Sequence, residues 1–234
     1  MLFRLHHRFR IGLVTASVVG LLVVSTGSVL AEATPAPGGD ATFTQDGRSA
    51  DAWSGVCSPN GDGTSTCSGQ GLSIFVGKMS DSLSGLTHVN QACVSIETYT
   101  IDDATGEIVG DYLFESGCTV DLPSRAIQSS KKLTSVALAR TTLTIGEQVC
   151  DHDSCEIVSE RPVTVEGTWT ASGPTFSSRY RSLYDDGTCR YAERSTRKWR
   201  EATFAGTIDG ATLPETYATI ADGKSKFRSR CDEV

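Results

Sequence analysis

Cysteine pairs that straddle turn signals restrict the fold of this chain more than any other feature. Cys57 and Cys67 flank Asn60-Gly61-Asp62-Gly63, with Asp62 at the midpoint. Cys93 and Cys118 are centred on the turn from Ala104 to Glu107, and Cys150 and Cys155 bracket a four-residue loop. Asn-Gly and Asp-Gly supply the positive φ angles that tight turns need. Residues opposed in a non-hydrogen-bonded antiparallel pair have Cα atoms about 4.5 Å apart, within reach of a disulfide. The spacing therefore predicts bridges 57–67, 93–118 and 150–155, which leaves Cys189 for Cys231 near the C-terminus.

The runs between these turns alternate with period two. Ala92–Ile101 and Ile108–Glu115 alternate on either side of Asp102-Asp103-Ala104-Thr105-Gly106, and Asp185-Asp186-Gly187 divides Ser178–Tyr184 from Cys189–Ser195. Arg125 to Arg140 opens like a helix behind Pro123 and Ser124, but soon becomes the alternating Leu133-Thr134-Ser135-Val136-Ala137-Leu138. Turns at short intervals between such runs predict an all-β fold, a disulfide-stabilised antiparallel β-sandwich spanning residues 53–234. Its expected core draws on Ile74, Val76, Val94, Ile96, Leu113, Val136, Leu138, Val163, Val165, Trp169, Phe204, Ile208 and Phe227. Val163–Trp169 also echoes Ala202–Ile208, each with a Gly-Thr step near its end, as equivalent strands of two β-units would.

Residues 1–31 carry Arg4, Arg8 and Arg10, then an apolar run from Ile11 to Val24, then the small-x-Ala stretch Val29-Leu30-Ala31. That order predicts a cleaved secretory signal, a compartment where disulfides persist, and a secreted product, or a cell-surface one if the segment stays as an anchor. Residues 32–52, broken by Pro35, Pro37, Gly38 and Gly39, read as a flexible linker. Removing residues 1–31 takes away three of the 21 basic residues and no acid, leaving a net charge of −10. That balance argues against nucleic acid or an anionic membrane as partner of the whole molecule.

Catalytic and metal chemistry find little support. No C-x-x-C pair occurs, so structural disulfides are favoured over zinc. His88 sits in an apparent strand and His152 at a hairpin tip, and no nucleophile elbow or metalloprotease helix accompanies them. Asn60-Gly61-Asp62-Gly63-Thr64 resembles part of a calcium loop but lacks the terminal glutamate. Many acids (Asp62, Asp102, Asp103, Asp151, Asp153, Asp185, Asp186) fall in turns, where turn chemistry accounts for them. No cofactor, metal or catalytic residue is assigned.

One region departs from the acidic whole. Residues 179–200 hold seven cations against three carboxylates, and Lys224, Lys226, Arg228 and Arg230 recur at every second position. Strand pleat puts those four on one side, with Ser225, Phe227, Ser229 and Cys231 on the other. Arg179 and Arg181 alternate likewise with Tyr180, Ser182 and Tyr184, and a Cys189–Cys231 bridge brings these segments together. The expected result is a sheet with an aromatic, sulfur-bearing inner side and a cationic outer one. Arg179, Arg181, Arg190, Arg194, Lys224, Lys226, Arg228 and Arg230 are the candidate binding residues. The expected function is a secreted, non-catalytic binding module for an anionic polysaccharide or wall polymer. A secreted carbohydrate hydrolase working through carboxylates and a purely structural surface protein are the alternatives.

Overall fold

A computed structural model describes residues 41–82, 85–110, 112–119, 121–150, 155–214 and 216–231, with residues 81, 149, 150 and 155 described in backbone only. The expected signal peptide and the linker as far as residue 40 lie outside the described residues. So do His152 and the 151–154 turn.

The described chain is all-β and antiparallel. Its strands are β1 (Ala41–Pro59), β2 (Thr64–Asp81), β3 (Gly85–Asp102), β4 (Leu113–Thr119), β5 (Ile127–Ser129) and β6 (Ser135–Cys150). They continue with β7 (Cys155–Ala171), β8 (Phe176–Asp185), β9 (Cys189–Ile208), β10 (Ala211–Thr212) and β11 (Tyr217–Cys231). Residues 41–52 therefore belong to a strand, correcting the linker reading. Ala50 and Ala52 are buried, and Asp51 between them occupies the other side of the pleat.

Pairing runs β9–β11–β1–β2–β3–β4–β6–β7 and returns from β7 to β9. Eight strands thus form one sheet closed on itself. The expectation of a sandwich holds in its all-β, antiparallel, disulfide-pinned character, but closure replaces two facing open sheets. Turn spacing is the same for both architectures; only the long-range β7–β9 seam separates them. That seam joins the two echoing segments, setting Gly167 opposite Gly206 and Trp169 opposite Phe204.

An eight-stranded barrel has an interior just wide enough to be filled by side chains. Here Trp169, Leu72, Leu143, Ile145, Ile208, Ile220, Val94, Val163 and Val165 fill it. Ala50, Ala52, Ala92, Ala202 and Ala218 keep the facing walls thin. Along β7 the buried Val163, Val165 and Trp169 alternate with Thr164, Glu166, Thr168 and Thr170, apolar inward and polar outward. A lipid-facing barrel needs the reverse order. Of the expected core, Leu113 is 42% and Phe227 37% exposed. Leu113 lies at the start of the short β4, and Phe227 on a part of β11 that has left the barrel.

One end of the barrel is covered by the segment around β5, whose Leu122, Ile127 and Leu133 join the same core. The Leu122 N–H donates to the Asn90 carbonyl, and the Asn90 side-chain Nδ2 donates to the Leu122 carbonyl. At the other end Arg161 makes a fork onto Glu115, Nε to Oε1 at 2.8 Å and Nη2 to Oε2 at 2.7 Å. Its Nη1 reaches Asp209 Oδ2 at 2.8 Å.

Three of the expected disulfides are formed: 57–67, 93–118 and 189–231, each joining residues directly opposed across a strand pair. Cys150 also stands opposite Cys155 in the β6–β7 register, but the side chains of that pair lie outside the described residues.

Candidate functional site

Past the β5 end of the barrel, β1, β2, β3, β9 and β11 run on and are joined by β8, in the order β8–β9–β11–β1–β2–β3. This extension forms a six-stranded wing. Strand pleat carries the barrel's inner side straight onto one side of it. Along β11 the sequence of that side reads Ala218, Ile220, Asp222, Lys224, Lys226, Arg228, Arg230. The residues are apolar while β6 and β7 stand opposite, and charged once they do not. On β1 the same change falls between Ala50 and Arg48, and on β9 between Ala202 and Arg200.

The eight candidate residues all lie on this one side. Arg181 opposes Arg194, which opposes Lys226. Arg179 and Lys224 flank Thr196, Arg190 opposes Arg230, and Arg228 opposes Ala192. Four cations outside the candidate set share the side: Lys198, Arg200, Arg48 and Lys78. Lys198 and Arg200 have the same parity as Arg190 and Arg194 and were accessible to the pleat argument. Arg48 was hidden by the linker reading. Lys78 is isolated in sequence, and only the β1–β2 register brings it in.

Carboxylates on this side are few. Lys224 Nζ pairs with Asp46 Oδ2 at 3.0 Å, Arg190 Nε with Asp185 Oδ2 at 3.0 Å, and Arg48 Nε with Asp222 Oδ2 at 3.8 Å. Among the described residues, Arg179, Arg181, Arg194, Lys226 and Arg228 have no carboxylate within ion-pair distance. The base of the wing is held: Arg48 Nη1 donates to Ser129 Oγ at 3.0 Å, and Arg200 donates to the Gly173 carbonyl from Nε at 2.9 Å and Nη2 at 2.8 Å. Exposed His88 opposes Lys78 on the same side.

The expected orientation is corrected by this arrangement. It is the cationic side that continues the barrel interior, and the aromatic, sulfur-bearing side that continues its exterior. Tyr180 and Tyr184 are exposed, and Tyr184, Tyr191 and Phe227 line a groove with Ser182, Asp186 and Glu193. Phe227 is exposed as well, and Tyr191 is half-buried. Farther along that side Phe75 lies across Gly47 and Gly77, where a Cβ would come within 2.7 Å of its ring. Arg197, counted with the cationic segment by sequence, also faces this side, and its charge acts on the carboxylate of Asp51.

The turn carboxylates are engaged by backbone. Asp62 accepts the Thr64 N–H, Asp102 those of Ala104 and Thr105, Asp185 that of Gly187, and Asp186 those of Thr188 and Cys189. These bonds hold the carboxyls of Asp62, Asp102 and Asp186 below the usual range; at Asp62 the largest cause is the Thr64 hydroxyl. Among the described residues no group of three or more His, Cys, Asp or Glu is placed to hold a metal ion. Nor is any helix there long and apolar enough to cross a membrane. Three disulfides fit an oxidising compartment.

No protein-family model, curated protein or solved structure matches this chain.

Proposed function

We propose that this protein is a secreted, non-catalytic binding module that holds an anionic polymer, such as an acidic polysaccharide or wall polymer, on the cationic side of its wing. Export follows from cleavage of residues 1–31. The observation that carries the reading is the row Arg181, Arg194 and Lys226, three neighbouring cations on adjacent strands with no carboxylate between them. An exported chain of net charge −10 that gathers twelve cations on one open side creates a local field of opposite sign to the whole. That field attracts a polyanion and repels cations. Nucleic acid fits less well, because single strands are held by rings and cations on one surface. Here the exposed rings lie on the opposite side.

The test is co-sedimentation of the exported chain with isolated cell-envelope polysaccharide, beside dextran sulfate and neutral dextran, at low and high salt. Retention on the two anionic polymers that falls with salt is expected, with none on dextran. Replacing Lys226→Glu and Arg228→Glu together weakens it about tenfold or more, the combined effect of several exposed charge contacts. Equal retention on dextran, or an unaffected double variant, refutes the reading.

A further inference from the structure

The groove on the reverse side of the wing has its own chemistry. Tyr184, Tyr191 and Phe227 come from β8, β9 and β11 and form a strip across the sheet, with ring centroids 6.0 Å apart for Tyr184–Tyr191 and 6.1 Å for Tyr191–Phe227. They line a shallow groove of about 390 Å³ with Ser182, Asp186 and Glu193. Strand pleat sends the neighbouring cations Arg181, Arg190, Arg194 and Arg228 to the other side. Among the described residues, the charged groups lining the groove are therefore two carboxylates.

Those two carboxylates differ. Asp186 is committed to the fold: Oδ1 accepts the Thr188 N–H at 2.9 Å and the Cys189 N–H at 2.7 Å, and Oδ2 accepts the Tyr191 hydroxyl at 3.1 Å. It fixes the edge of the Tyr191 ring and keeps a negative charge beside it. Glu193 stands between Ser182 and Phe227 in register and, among the described residues, its carboxylate has no side-chain hydrogen bond or ion pair. A ring face carries negative quadrupolar charge, so rings and a free carboxylate together attract a cation and repel an anion.

We propose that this groove binds an ammonium-bearing ligand, its head group seated on the rings of Tyr184, Tyr191 and Phe227 and paired with Glu193. The Cys189–Cys231 bridge closes the end of the same strand pair beside Tyr191. It holds two of the three rings in place before any ligand arrives, which lowers the ordering cost of binding. The wing then presents opposite charges on its two sides: cations for a polyanion, rings and carboxylate for an amine.

The experiment is an NMR titration of the exported chain with choline and with 3,3-dimethylbutan-1-ol, which has the same shape without the charge. Choline is expected to give saturable shifts of the Tyr184, Tyr191 and Phe227 ring protons, and the neutral analogue none at the same concentration. Glu193→Gln and Tyr184→Ala should each weaken choline about three- to tenfold, in the range of a cation–π or exposed ionic contact. Both should leave dextran sulfate retention unchanged, which separates this site from the cationic side. Three results overturn the proposal: equal affinity for the neutral analogue, an unaffected Glu193→Gln variant, or no saturable shift on the three rings.

Discussion

Arg181 stands directly opposite Arg194 across β8 and β9, and Arg194 stands directly opposite Lys226 across β9 and β11. Like charges at opposed positions destabilise a sheet by about 0.2–1 kcal/mol a pair. One row away Thr196 sits between Arg179 and Lys224, showing that a small β-former fits the central position. Repulsion kept in an open row, on strands that could pair without it, is the pattern expected where function outweighs stability.

Arg194→Thr should therefore raise the melting temperature at low ionic strength while weakening dextran sulfate retention. The gain should shrink with salt, because the screening length falls from about 30 Å at 0.01 M to about 3 Å at 1 M. Thermal denaturation across a salt series reads this directly. A variant less stable than the parent at every salt concentration shows that Arg194 is needed by the fold, and removes the trade-off.

Asp51 introduces a pH dependence of stability. Its Oδ2 is sealed from water and has no hydrogen-bond partner among the described residues. Burial pushes the carboxyl up from 3.8 to about 6, against the partial opposition of Arg197. A folded pKa above the unfolded one means that the native state binds the proton more tightly. The group then costs stability in full above about pH 6, and the cost vanishes as the pH falls towards 3.8. Asp51→Asn should stabilise the protein at pH 8 by up to about 3 kcal/mol, with the advantage fading by pH 4. Parallel melting curves against pH for the two proteins would show that Asp51 is solvated after all.

Much of this architecture was legible in the residues themselves. Hairpin symmetry about Asp62 placed Cys57 against Cys67, because register in a tight hairpin is set locally. Cys93 does meet Cys118, but only after a two-residue shift between the Ile101–Ile108 bridge beside the turn and the Thr98–Leu113 pair beyond it. Alternation likewise put Lys224, Lys226, Arg228 and Arg230 on one side. What local pattern could not show was which side faces what. A pleated strand reads the same whether a second wall stands opposite it or not, and β11 passes from one situation to the other between Ile220 and Lys224. The barrel seam escaped for the same reason, since β7 and β9 meet only across a long stretch of chain. Its trace in the sequence was the echo of Val163–Trp169 in Ala202–Ile208, which marks two strands that became partners.

The fork from Arg161 to Glu115 should matter at one barrel end. Glu115 is largely buried at 14% exposure, and the hydrogen bond from Arg161 holds its carboxyl below the usual range. Arg161 itself is 41% open to water, which discounts the pair, so Glu115→Gln should cost about 1–2 kcal/mol at neutral pH. A depressed carboxylate stabilises above its unfolded pKa, and the contribution disappears as the pH falls through the folded value. Urea denaturation of parent and variant should accordingly converge as the pH falls below 4.5 and on through the lower folded value. A gap that persists undiminished at the acid end would point to packing rather than charge.

Closure of the barrel depends on Gly206. A Cβ there would lie 2.3 Å from the Glu166 carbonyl and 2.5 Å from the Phe204 ring, and the backbone oxygen cannot turn aside. Glycine at 206, with Gly167 opposite, lets β7 and β9 approach closely while Phe204 lies across both and meets Trp169 at a centroid distance of 4.8 Å. Gly206→Ala must separate the strands or displace the ring, at about 1–3 kcal/mol. Ala205→Ser, one residue away on the exposed side, should stay within about 0.5 kcal/mol. Chemical denaturation of both variants decides the point. Equal stability of the two would mean that β7 and β9 do not form the seam, and the eight strands would then be an open sheet rather than a barrel.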